Sequence, residues 1–160
     1  MLSQFLNSAN YFLNPYSIPM FITSLLVLLL GLYVLLQDKN IVSQSFFVTT
    51  ASASIWQCGT GLIYSMKNSA LVLSFCKVFT FLGIIMIAPG IYFFTITSLD
   101  LYNEKKRYIL ANYAIALVFY IFGLLTDWLI ASVEERFYGY DIVFGPLAIP
   151  FLLFFSVLII

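Results

Sequence analysis

Apolar and polar positions follow one another in long blocks along this chain. Five apolar runs, at about 20–36, 42–64, 70–99, 108–130 and 142–160, are separated by short polar segments. A helix needs about 17–25 apolar residues to cross a bilayer, and these runs have that length. A β-barrel would instead show short segments of alternating polarity. The predicted fold is therefore all-α, a polytopic transmembrane helical bundle of five spans.

The third run carries features that a lipid-facing helix does not favour. From Lys77 to Phe94 it reads KVFTFLGIIMIAPGIYFF, with a lysine at one end, Gly83 within, and the pair Pro89-Gly90. Proline removes a backbone donor and kinks a helix. In hydrocarbon such a site persists where neighbouring helices satisfy the freed carbonyl. Span three is thus expected at the packed centre, with Gly83, Pro89 and Gly90 as its kink.

In span two, Ala51, Ser54, Cys58 and Gly61 fall on one helical face, a surface that another helix can approach closely. Trp56 and Gln57 lie inside the same span. Residues 1–18 are mixed, with Leu2, Phe5, Leu6, Phe12 and Leu13 as apolar points. Two readings fit them: a short interfacial helix with a turn at Asn14-Pro15 and a break at Pro19, or a loose tail. The segment Asp100–Arg107 reads as a polar loop. Residues 131–141 read as a loop with a turn at Tyr138-Gly139-Tyr140. Span five is still apolar at Ile160, which suggests a fragment of a longer domain.

Composition agrees with this picture. The 160 residues are 62% hydrophobic and 9% charged, with a mean hydropathy of +1.03. Seven basic residues balance seven acidic ones, so nothing points to nucleic acid. The absence of histidine excludes a His-ligated haem or metal, a Ser-His-Asp triad and a phospho-accepting histidine within this chain. Cys58 and Cys76, each inside a span, read as small packing residues rather than a disulfide. No charged n-region of a signal peptide precedes Lys39. HExxH, GxSxG and phosphate-binding glycine loops are missing. No catalytic role, cofactor or metal is expected, and the adjacent Glu134 and Glu135 are too few for a metal site.

Lysine and arginine set the expected orientation. With the N-terminus outside, Lys39, Lys105, Lys106 and Arg107 fall on inner turns, as short basic loops prefer. Gln57, Lys77 and Asp127 then lie at one depth, roughly 5–10 Å inside the outer boundary at 1.5 Å per residue. An intramembrane lysine and aspartate at one level suggest an ion pair or the lining of an outward-facing pocket flanked by Trp56 and Trp128. The competing reading is interfacial: Lys77 snorkels along its alkyl stem and Asp127 sits among headgroups.

Several residues together resemble a known family. Asn14-Pro15-Tyr16-Ser17-Ile18-Pro19 precedes span one, and Phe46-Phe47 and Trp56 mark span two. Lys77, Gly83, Pro89 and Phe93-Phe94 mark span three, followed by Tyr138-Gly139 and Gly145-Pro146. This order and spacing resembles the N-terminal seven-transmembrane region of bacterial and archaeal sensor histidine kinases. The resemblance covers most of the chain but only five of seven spans, and Lys77 stands where an arginine is usual. It implies a multi-pass input domain of the cytoplasmic membrane, outside at its start and followed by a cytoplasmic output module. The lipid bilayer, a second copy of the signalling protein and a small or hydrophobic ligand are the implied partners. The alternatives are a transporter or channel fragment, against which no internal repeat is visible, and a non-sensing anchor that dimerises through the Ala51/Ser54/Cys58/Gly61 face.

Overall fold

The structure, a computed structural model, describes residue 5 and residues 7–159. Five helices and one β-hairpin account for most of them. Helix α1 spans Ser17–Gln37 and α2 Ile41–Ser65. Helix α3 runs over Ser69–Ser98, α4 over Tyr102–Leu125 and α5 over Ala148–Ile159. Strands β1 (Ile130–Arg136) and β2 (Gly139–Phe144) pair antiparallel between α4 and α5. Helices α1, α3 and α4 are long and apolar enough to cross a membrane.

Local chemistry sets the helix starts. The Asn40 side chain accepts from the Ser43 amide at 2.8 Å and opens α2. Asn68 accepts from the Ala70 and Leu71 amides and opens α3. Both satisfy donors that have no partner in the first turn. Pro19 causes no break, since it lies in the first turn of α1, where no amide is required.

Small residues hold α2 between α1 and α3. The Ser24 and Ser54 hydroxyls lie 2.9 Å apart, and each also donates to the other's backbone carbonyl. Gly61 backs onto Phe21. At Ser54 and Gly61 the small-residue face read from the sequence is thus taken up by α1 of the same chain. On the opposite side of α2, the Ser45 hydroxyl meets that of Thr97 at 2.7 Å. Gly83 of α3 lies directly on the backbone of Trp56 and Ser52, and Gly90 lies on Thr49. Of the apolar windows in the three membrane-length helices, that of α3 is 44% buried, against 11% in α1 and 17% in α4. The helix expected at the centre is indeed the most enclosed of the three.

Helix α3 continues through Pro89-Gly90, with both residues buried, and carries an irregularity earlier, a π-helical turn over Cys76–Thr80. Other expectations are corrected. Span four ends at Leu125, because residues 130–144 form the hairpin and not helix and open loop. Span five begins at Ala148 and not near 142. The basic cluster Lys105-Lys106-Arg107 sits on the first turns of α4, since that helix starts at Tyr102.

The N-terminal segment is docked and not loose, although residues 1–4 and 6 of the expected interfacial helix lie outside the described residues. Tyr11 bridges to Met66, the Phe12 amide donates to Ser65 O at 2.9 Å, and the Lys67 amide donates to Asn10 O at 3.0 Å. Asn14, only 5% exposed, donates to Tyr64 O at 2.6 Å and Tyr138 O at 2.9 Å. One end of the bundle thereby gathers residues 7–16, the α2–α3 turn and the hairpin into a cap.

Candidate functional site

The widened turn of α3 is where the chain's unusual side chains converge. In a π turn the amide bonds reach five residues back; here the Phe81 amide donates to Cys76 O. Lys77 lies on this turn. Its ammonium donates to Asp127 Oδ1 at 2.6 Å and to the carbonyl of Thr126 at 3.1 Å. Thr126 is the C-terminal cap of α4, so the cation also meets the negative end of that helix. The lysine side chain is 13% exposed and the aspartate 75%, which places the pair at the rim of the cap. One residue on, the Val78 carbonyl accepts from the Tyr120 hydroxyl of α4 at 2.7 Å. Two side-chain ties to α4 and its cap thus clasp the turn.

Thr80 closes the turn and is the exception among hydroxyls of its kind. Thr49, Thr50, Ser52, Thr60, Ser74 and Thr97 all donate to the carbonyl four residues back. Thr80 is fully buried, yet its hydroxyl has no hydrogen-bond partner. It lies instead against Gly59 of α2, where any side chain on the glycine would strike it. An unsatisfied buried hydroxyl costs about 1–3 kcal/mol. Thr80→Val should therefore raise the unfolding free energy by about 1 kcal/mol, measured by detergent denaturation of the purified protein; a loss of similar size would show that the hydroxyl has a partner.

The five residues predicted for the polar level do not form one cluster. Lys77 and Asp127 are joined, but Asp127 lies beyond the end of α4 and not inside a span. Gln57 is half-buried on α2; its Oε1 is enclosed without a partner, and it makes no hydrogen bond to the ion pair. Trp56 lines an apolar cavity of about 230 Å³ with Ile84, Phe144, Phe151 and Phe155. Trp128 is exposed, and its carbonyl accepts from the Leu147 amide at 2.9 Å, tying the start of the hairpin to the start of α5. Gly83 and Gly90 act as a close-packing surface toward α2, and Pro89, between them in sequence, is buried.

No protein-family model, curated protein or solved structure matches this chain. Its function must therefore be argued from its own geometry. Among the described residues, no three of Cys, Asp and Glu gather into a metal-holding group. In the hairpin, the hydrogen bond from Tyr138 to Asp141 at 2.9 Å holds the phenol above its ordinary pKa. Burial, followed by the charge of Glu135, raises Tyr140 likewise. Both stay neutral near pH 7. Sequence reasoning missed Asn14, Thr80 and Tyr120. Asn14 was legible only as half of an Asn-Pro turn, and Thr80 and Tyr120 carry no local signal.

A cleft lies beside the π turn, on its α1–α2 side. It measures about 590 Å³, and its walls are nearly all carbon. Ala51, Ser54, Cys58 and Gly59 form its floor, Leu25 and Leu28 one wall, and Phe75 and Phe79 the other.

Proposed function

We propose that this chain is the membrane-embedded input domain of a signalling protein, of the kind that precedes a histidine kinase or related output module. The observation that supports this reading is the tie between the capped end of the bundle and the irregular turn of its central helix. On this reading the cap faces outward, and the turns at 38–40 and 99–101 face the cytoplasm with Lys39 and the Lys105–Arg107 cluster.

The mechanism follows from the turn. A stimulus that moves the 126–129 loop or the hairpin draws Asp127 and the Thr126 carbonyl away from Lys77. The π turn then tightens to α geometry, which lets Thr80 bond back to Cys76 as other helical threonines do. Removing one residue from the widened turn re-registers the two halves of α3 by about 100° and 1.5 Å. Such a discrete change is the kind of motion a packed helix can pass on.

Lys77→Ala releases both partners at once and should shift the output of an intact sensor severalfold. Asp127→Ala should shift it in the same direction by less, because Lys77 keeps the Thr126 carbonyl. The Asp127 side chain is 75% exposed and Lys77 keeps its bond to Thr126; a pair open on one side contributes about 0–1 kcal/mol, so Asp127→Ala should change folding stability by no more than that. Kinase activity of the full protein, assayed in reconstituted vesicles, checks both. Unaltered output from two folded variants would refute the relay.

A further inference from the structure

From the cleft between α1, α2 and α3 we infer a binding site for a single hydrocarbon chain, the acyl tail of a bilayer amphiphile. This inference rests on the membrane reading above and adds the ligand class. The volume of about 590 Å³ falls within the range of about 300–1,000 Å³ usual for small-molecule sites. Its polar side chains offer a ligand little: the Ser24 and Ser54 hydroxyls each donate to the other residue's backbone carbonyl. A ligand with hydrogen-bonding groups at this depth would find no partner for them, whereas an alkyl chain needs none.

The mouth of the cleft identifies the occupant. Leu25 is 57% exposed on α1, and Phe79 is 55% exposed on α3. Both helices are long and apolar enough to cross a bilayer, and between two such helices the surrounding medium is lipid tails. The small side chains of Ala51 and Cys58 leave depth for a chain to enter, where larger residues would close the groove.

The cleft also borders the π turn directly. Phe75 precedes the turn and Phe79 lies within it, and the two stack on each other at 5.2 Å with nearly parallel rings. Gly59, on the cleft floor, touches the unsatisfied Thr80. A chain seated here packs against the π form of the turn. The α form re-aims Phe75 relative to Phe79 and alters that wall, so occupancy biases the same equilibrium that Lys77 biases from the cap.

The test uses the full protein in nanodiscs with a diazirine-bearing palmitic acid as probe. The expected result is saturable labelling at residues 51–62 and 75–79. Cys58→Trp and, independently, Ala51→Phe fill the cleft and should lower that labelling by about tenfold, the loss of roughly two buried methylenes. Leu110→Trp, on the exposed face of α4, should leave it unchanged. Circular dichroism confirms that each variant folds, and competition by unlabelled phospholipid or by free fatty acid tells which amphiphile supplies the chain. Non-saturable labelling spread over α1 and α4, unaffected by either cleft variant, would overturn the site. Labelling needs no output module, so a saturable site whose filling leaves kinase output unaltered would sink the relay and spare the cleft.

Discussion

Gly83→Val is expected to lower the unfolding free energy by about 3 kcal/mol or more. At this position even a Cβ meets the Trp56 amide nitrogen, with Trp56 Cα at 2.8 Å and Ser52 O at 2.9 Å. All three are backbone atoms and have no rotamer by which to yield. The only relief is separation of α2 from α3, which also opens the Ser45–Thr97 contact and displaces Thr80 from Gly59. Gly90→Ala provides the comparison. Its Cβ would lie 3.0 Å from the Thr49 hydroxyl, a side-chain atom, and 3.2 Å from Thr49 Cα, so a small shift suffices and the cost should stay near 1 kcal/mol. Denaturation of both variants in mixed micelles measures the difference. Equal costs would show that α2 and α3 do not approach this closely.

Asn14→Ala is the second large effect, about 3 kcal/mol. The side-chain amide spans two carbonyls far apart in the chain, Tyr64 O and Tyr138 O, and its own oxygen accepts from the Tyr16 amide at 3.0 Å. Truncation leaves two part-buried carbonyls without this donor, at about 1–3 kcal/mol each. It also frees the N-terminal segment from the hairpin. Proteolysis within residues 7–16 should therefore accelerate in the variant while α2 and α3 stay protected. Asn14→Asp should not rescue, since a carboxylate cannot donate to either carbonyl. If both variants resist protease as the parent does, Asn14 does not bind the cap together.

The helices were legible because hydrophobic block length and asparagine caps are local signals. Span one was placed at 20–36 and α1 covers Ser17–Gln37; span two was placed at 42–64 and α2 covers Ile41–Ser65. Gly83 was noticed for its lack of a side chain, but its purpose, an approach to the Trp56 backbone, depends on a partner 27 residues away in sequence. The hairpin was missed because Glu134, Glu135 and Arg136 mark β1 as solvated. Its pairing is fixed by cross-strand bonds and by Gly139, whose φ of 138° and contact with Tyr64 admit no side chain. That error carried span four past Leu125 and put Asp127 inside a helix.

The ion pair illustrates the same division. Two opposite charges near one depth pointed to Lys77 and Asp127, while Gln57, Trp56 and Trp128 were grouped with them by depth alone. Helical rotation and the end of α4 send those three elsewhere. The π turn was invisible in Cys76-Lys77-Val78-Phe79-Thr80, which holds neither glycine nor proline. It is clasped from outside the segment by Tyr120, the Thr126 carbonyl and Asp127, and bonds of that kind leave no mark on local sequence.

The placement of the two ends of the bundle on opposite faces of a membrane is most directly measured by thiol accessibility in intact cells. With Cys58 and Cys76 replaced by alanine, a cysteine at Ser132 in the hairpin should react with an impermeant maleimide from outside, and one at Asn103 should react only after lysis. Labelling of Asn103 from outside, or of both positions alike, would contradict an outward cap joined to an inward relay.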